Sequence, residues 1–218
     1  MLNFENLDKY KFHGTGKYNI PMIRPEHADI ECEWIPFNFA KTEKEPEIKG
    51  IHCFIDDYQF VRLWNSPDTY ISMLQKFHCV CSPDFSTYTD MPIAMQIYNH
   101  YRKHWLAAYW QLNGICVIPT ISWSVPESYS WCFDGEPVGG TVAVSSVGTQ
   151  NSNESKKLFC DGYKEMLRRL KPSSILIYGK IPENIVSNAI HISPYYKQIE
   201  KVRNEKNGRQ RKLQRGKQ

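Results

Sequence analysis

CVCSPDFSTYTDMPIAMQIYNHYRKHWLAAYWQLNGICVIPTISW, residues 79–123, holds the pattern that decides the fold. Cys79-Val80-Cys81 is a short apolar run that closes on Ser82-Pro83-Asp84. A long segment follows with apolar residues at helical spacing: Ile97, Tyr98, Tyr101, Trp105, Ala108 and Leu112. Asn113-Gly114 ends it in the way a left-handed C-terminal residue commonly does. Ile115-Cys116-Val117-Ile118 then opens a second apolar run, which passes into Pro119-Thr120-Ile121-Ser122-Trp123. Short runs that are apolar on both faces are how parallel strands covered on both sides read.

The same alternation extends outward. Upstream, Ile51-His52-Cys53-Phe54-Ile55 ends in Asp56-Asp57; downstream, Val142-Ala143-Val144 ends in Ser145-Ser146, and Ile175-Leu176-Ile177-Tyr178 ends in Gly179. Helix signals lie between the runs. Ser66-Pro67-Asp68 offers a cap with Pro at the first helical position, Asp90 precedes the long helix as its cap, and Ser124-Val125-Pro126-Glu127 has capping-box spacing. A further helix carries Leu158, Phe159, Gly162, Tyr163, Met166 and Leu170 and stops before Pro172. The prediction is an α/β single domain with a mostly parallel sheet of five or six strands, Ala189–Ile192 being the sixth. An open doubly wound sheet is the first expectation and an incomplete barrel-like sheet the second, because a full eight-unit barrel takes roughly 250 residues. Residues 1–45 read as an N-terminal extension whose stretch Glu31–Phe39 is an edge strand, Pro36 arguing against a central one. Residues 46–195 form the core domain, and 196–218 a basic, disordered tail.

Composition narrows the class. The 218 residues are 41% hydrophobic and 23% charged, which excludes a disordered chain and a collagen-like repeat. No apolar run reaches the roughly 18 residues of a membrane span, and the N-terminus lacks a signal-peptide core, so a soluble, cytoplasmic protein without a membrane partner is expected. Seven cysteines with no C-x-x-C pair read as free thiols, mostly buried, in a reducing compartment. The net charge of +4 is uneven. Residues 197–218 hold nine Lys/Arg against Glu200 and Glu205, a local charge of +7, and leave the remaining chain at −3. Nucleic-acid affinity is therefore expected from the tail, through Arg209, Arg211, Lys212, Arg215 and Lys217.

Five segments carry a resemblance: IHCFIDDYQF (51–60), residues 79–111, VIPTISW (117–123), SYSWCFDG (128–135) and TVAVSSVGTQ (141–150). Together they resemble the family called domain of unknown function 4417, over about residues 20–193. The resemblance implies a cytosolic setting, the host cytoplasm for a phage protein, and a phage or mobile-element origin. It assigns no catalytic residue.

In a parallel α/β sheet, ligands bind at the carboxyl ends of the strands. Those ends present Asp56 and Asp57, then Asp84, Ser86, Tyr88 and Asp90, then Ser122 and Trp123, then Ser145 and Ser146. Asp84 and Asp56 are the expected catalytic residues and ligands of a hard divalent cation, Mg²⁺ or Mn²⁺. Ser86, Ser122, Ser145 and Ser146 are expected to meet a phosphate, and Tyr88 and Trp123 to stack on a base or sugar. Plainer roles compete: Asp90 and Asp57 as caps, Asp84 closing a turn through its own side chain. His100 and His104 stand four apart with Arg102 and Lys103 between them, which reads as a solvated basic face rather than a zinc site. His52 and His78 fall near the amino ends of their runs, the wrong edge for a site. No P-loop, G-x-S-x-G or H-E-x-x-H occurs in the chain. Three expectations follow. One is a divalent-metal-dependent phosphoric ester hydrolase acting on a nucleotide or nucleic acid. Another is a non-catalytic nucleic-acid-binding accessory protein that uses the tail. The last is a phage protein that binds a host protein.

Overall fold

The computed structural model describes residues 5–180 and 189–192. The tail, with Arg209, Arg211, Lys212, Arg215 and Lys217, lies outside the described residues. A small antiparallel hairpin, β1 (Gly14–Thr15) with β2 (Ile20–Pro21), leads in. Four parallel strands follow, β3 (Glu33–Pro36), β4 (Lys49–His52), β5 (Cys79–Cys81) and β6 (Val117–Ile118), paired in chain order. Between β4 and β5 come three short helices, α1 (Asp57–Phe60), α2 (Arg62–Asn65) and α3 (Asp68–Leu74). The long α4 (Ile93–Leu112) joins β5 to β6. A second parallel ladder contains β7 (Thr141–Ser145), β8 (Ser174–Tyr178) and β9 (Ala189–Ile192), with α5 (Asn153–Leu170) crossing from β7 to β8. One parallel bridge, Thr120 to Ala143, connects the two ladders.

The expected single sheet of five or six strands is thus replaced by ladders of four and three. The doubly wound expectation also fails. That topology needs the strand order to reverse at a switch point, whereas here each ladder runs in chain order. The stretch expected as an edge strand is one: among the described residues β3 pairs only with β4, and Pro36 is its last residue.

Side-chain alternation shows the sheet to be curled. Ile35, Ile51, Val80 and Val117 join the cluster that includes α1–α4 residues, and Val142, Val144, Ile175 and Ile177 pack with α5. Residues of the opposite parity, among them Trp34, Cys79, Cys81, Ile118, Ala143, Leu176 and Ile192, form one common interior cluster. The rings of His52 on β4 and Tyr178 on β8 lie 4.8 Å apart. Four strand spacings would separate them by about 19 Å in a flat sheet. The sheet therefore wraps around its interior without closing: among the described residues no pairing joins β9 to β3. All seven cysteines are free, and Cys53, Cys79, Cys81 and Cys132 are buried as small hydrophobes.

Three helix starts differ from expectation. Pro92, not Asp90, stands at the N-cap of α4, and no side chain caps it. Ser66 likewise contributes no side-chain cap to α3, and the 124–127 segment enters a 3-10 turn (Pro126–Ser130) rather than a capped α-helix. Asn113-Gly114 does end α4, with Gly114 at φ +75°.

Candidate functional site

The carboxyl ends of β4, β5, β6, β7 and β8 surround a cleft of about 800 Å³, the size of a small-molecule site. Its lining includes Asp56, Asp84, Ser86, Tyr88, Ser122, Trp123 and Ser145, seven of the eight residues assigned to the site from sequence. Ser146 is the exception. It is buried, its hydroxyl donating to the Lys180 carbonyl at 2.6 Å, so it ties the β7 and β8 ends together instead of facing a ligand.

Asp84 sits half-buried after Ser82-Pro83 and takes no hydrogen bond and no ion pair from the described residues. It therefore does not close a turn through its own side chain. Burial pushes its carboxyl up to about 7, the nearby Asp57 charge adding to the rise and Lys103 opposing it. Asp56 is exposed at the cleft edge and gives α1 no side-chain cap. Asp57 is not a cap either: its carboxylate accepts the Ser86 N–H at 3.1 Å and the Ser86 hydroxyl at 2.9 Å, fixing the loop that follows Asp84. Asp90, relieved of any capping role, lines the cleft as a third carboxylate.

Trp123 forms one wall. Its indole N–H donates to the Leu158 carbonyl at 3.3 Å, and its ring lies 5.4 Å from that of Phe159. It approaches α5 so closely because residue 162 is glycine; a Cβ there would fall 2.1 Å from Trp123 Nε1. Phe54 and Tyr178 stack at 4.8 Å on the floor. Gly148, Thr149 and Ser155 bring the start of α5 to the rim, and Ser152 and Ser155 form a reciprocal capping box there. Ser124 also lines the cleft, with a buried hydroxyl that has no partner among the described residues. Among the described residues no Lys, Arg or His side chain lines the cleft.

Two histidine assignments are overturned. His52 is the last residue of β4, hence at the carboxyl end, fully buried against Phe54 and Tyr178. Burial drives its pKa down to about 3. The supposed solvated face of α4 is in fact its buried face, with His100, Lys103 and His104 all at 2% exposure or less. Lys103 Nζ donates to Glu136 Oε1 at 2.6 Å and to the Thr120 carbonyl at 2.7 Å. His104 sets Nε2 2.9 Å from the same carboxylate oxygen and Nδ1 2.8 Å from the Pro21 carbonyl. His100 meets the Asp134 carbonyl at 3.0 Å. His100, His104 and Glu136 do place ligand-type atoms within 4.8 Å of one another. The Lys103 ammonium already neutralises Glu136, however, and a dication beside it would add uncompensated charge to a dry site. The cleft, with open carboxylates, is the better place for a cation.

Residues 12–196 match the family described as Domain of unknown function (DUF4417). The chain belongs to that family. Among relatives of this DUF4417 chain is the Gene 1 protein of Mycobacterium phage L5, 37% identical over 172 residues, which covers 78% of this chain and 75% of the phage protein. The Gene 1 protein of Mycobacterium phage D29 is also 37% identical over 172 residues, but only 63% of its length is covered. The phage-type setting implied by the resemblance thus stands. No solved structure matches the chain. No helix among the described residues is long and apolar enough to cross a membrane.

Proposed function

We propose that this phage-type protein is a divalent-metal-assisted enzyme acting on a phosphate-containing substrate, a nucleotide or nucleic-acid end, in the cleft at the strand ends. One observation carries the reading: Asp84 presents a half-buried carboxylate, unpartnered among the described residues, into a cleft that also holds Asp56 and Asp90 and that no described basic side chain lines. An acidic wall repels a phosphate unless a cation stands between them, and hard oxygen donors suit Mg²⁺ or Mn²⁺. Such an ion, when bound, polarises the phosphoryl oxygen and makes water a nucleophile at neutral pH. The chain's own part is to hold the cation with Asp84 and Asp56 and to seat the phosphate against the hydroxyls of Ser122 and Ser145 on the cleft wall. Trp123 and Tyr88 supply flat faces for a base or sugar.

Thermal unfolding with and without Mn²⁺ tests this. At a hundred times its dissociation constant the ion should stabilise the wild type by about 2.7 kcal/mol. Asp84→Asn should show no such shift, and equal shifts in both proteins would refute the assignment.

A separate observation favours a second role for the tail. Since the cleft offers no cation, affinity for a phosphate backbone has to come from elsewhere, and residues 197–218 carry +7. Deleting 197–218 is expected to abolish salt-dependent binding to DNA and RNA while leaving the Mn²⁺ shift intact. Binding that survives the deletion would remove the tail from the account.

A further inference from the structure

One wall of the cleft holds a polar group that the carboxylates do not explain. The continuation of β6 brings Ile121, Trp123 and Ser124 to this wall, α5 brings Leu158 and Phe159, and none of the five carries a charge. The segment 121–124 is anchored at both ends: the Ile121 N–H donates to the Ala143 carbonyl at 2.8 Å, and the Ser124 N–H donates to Ser128 Oγ at 3.1 Å. Between these anchors the Trp123 indole is held by its bond to the Leu158 carbonyl and by its close approach to Gly162, and its ring stays half-buried at the cleft. Ser124 is 4% exposed, and its hydroxyl has no partner among the described residues. The Ser128 hydroxyl is already engaged, accepting the Ser124 N–H and donating to the Val125 carbonyl at 2.7 Å. A buried hydroxyl left unmet is a cost to the fold, and a ligand group that meets it removes that cost.

We propose that this end of the cleft takes a nucleobase, stacked on Trp123 and hydrogen-bonded at its edge by Ser124. The inference rests on the reading of the cleft as the site of a phosphate-containing substrate, and it makes that substrate a nucleoside phosphate. Three features of the wall favour a base over other groups. Its aromatic face is flat and already fixed, so a planar ring stacks on it without ordering the side chain first. Its hydroxyl both donates and accepts, so it meets a ring carbonyl, a ring nitrogen or an amino group, whereas an aliphatic group would leave it unmet. Its lack of charge suits a neutral ring, and a puckered sugar would not lie flat against the indole. The cleft volume of about 800 Å³ leaves room for the sugar and phosphate beside the base.

The test is nucleoside binding to the full chain in EDTA buffer, followed by ligand-observed NMR, so that neither phosphate nor metal contributes. Adenosine, guanosine, cytidine and uridine are titrated at millimolar concentration, with ribose as the control. At least one nucleoside should bind, and ribose should not. Ser124→Ala should weaken the tightest-bound nucleoside by about 2- to 10-fold, the effect of one neutral hydrogen bond. The same variant should melt no lower than the wild type, since it removes an unmet buried polar group. Trp123→Leu should weaken every bound nucleoside by about tenfold or more, the loss of one base–aromatic stack. If Trp123→Leu does not fold, Ser124→Ala decides. Absence of nucleoside binding, ribose binding as tight as that of the nucleosides, or unchanged affinities in Ser124→Ala overturns the proposal. Nucleoside binding that depends on Ser124, in a protein that Mn²⁺ does not stabilise, would refute the metal reading and leave this one standing; a Mn²⁺ shift without nucleoside binding would do the reverse.

Discussion

Asp84→Asn is expected to be more stable than the wild type at pH 8 and about equal to it at pH 4. The carboxyl of Asp84 is raised from 3.8 to about 7 in the folded protein, first by burial and then by Asp57. Between those two values the folded state binds more protons than the unfolded state, so wild-type stability falls as pH rises through the window. Above pH 7 the ionised group costs up to about 4 kcal/mol, reduced to about 2–4 kcal/mol by its partial contact with solvent. An amide carries no such penalty. For a chain of this size the gain corresponds to roughly 5–10 °C in the unfolding midpoint, read by melting both proteins from pH 4 to pH 8. Mn²⁺ should reverse part of the order, because only the wild type gains from it. A carboxylate kept at this cost in a cleft, with no partner among the described residues, is the pattern of a group retained for function against stability. Equal melting at pH 8 would remove that argument.

Much of this architecture was legible. Short apolar runs at 79–81, 142–144 and 175–178 became strands within a residue or so, and 189–192 became β9 as read. The strand-end rule then gathered Asp56, Asp84, Ser86, Tyr88, Ser122, Trp123 and Ser145 around one cleft, although neighbouring members are up to 34 residues apart in the chain. Strand order was not legible, because a local run says it is a strand and nothing about its neighbour; the curl depends on contacts such as His52 with Tyr178, 126 residues apart. The α4 face was misread for a related reason. Gln96, His100, Lys103, Ala107 and Gln111 recur at helical spacing as regularly as the aromatic stripe does, and they are the residues that turn inward. Polarity argued for solvent, yet each of these polar groups has a partner supplied from outside the helix: Glu136 and Thr120 for Lys103, Asp134 for His100, Arg24 for Gln111, Met91 for Gln96. Periodicity without regard to polarity would have found the face; the partners could not be found from spacing.

Those partners carry the second large expectation. Glu136→Gln preserves shape but removes the anion shared by Lys103 and His104, both fully buried. Removing one member of a buried ion pair costs about 3–5 kcal/mol, far more than an exposed pair is worth, because the charge left behind has no water to turn to. Here the Lys103 ammonium is left without its anion in a dry site, so the upper end of that range is expected at neutral pH, read from denaturant midpoints. The pH dependence has a definite sign. The folded carboxyl of Glu136 is held below its ordinary value by Lys103 and His104, so its contribution is present above the unfolded carboxyl's titration and is lost as pH falls through the folded one. The gap between wild type and Glu136→Gln should therefore be widest near neutrality and close in acid, where wild-type Glu136 is itself neutral. Adding Lys103→Met to Glu136→Gln should recover part of the loss, since both members of the pair then disappear together. A Glu136→Gln protein as stable as wild type would mean that Lys103 and Glu136 do not stand as a charged pair in the folded protein.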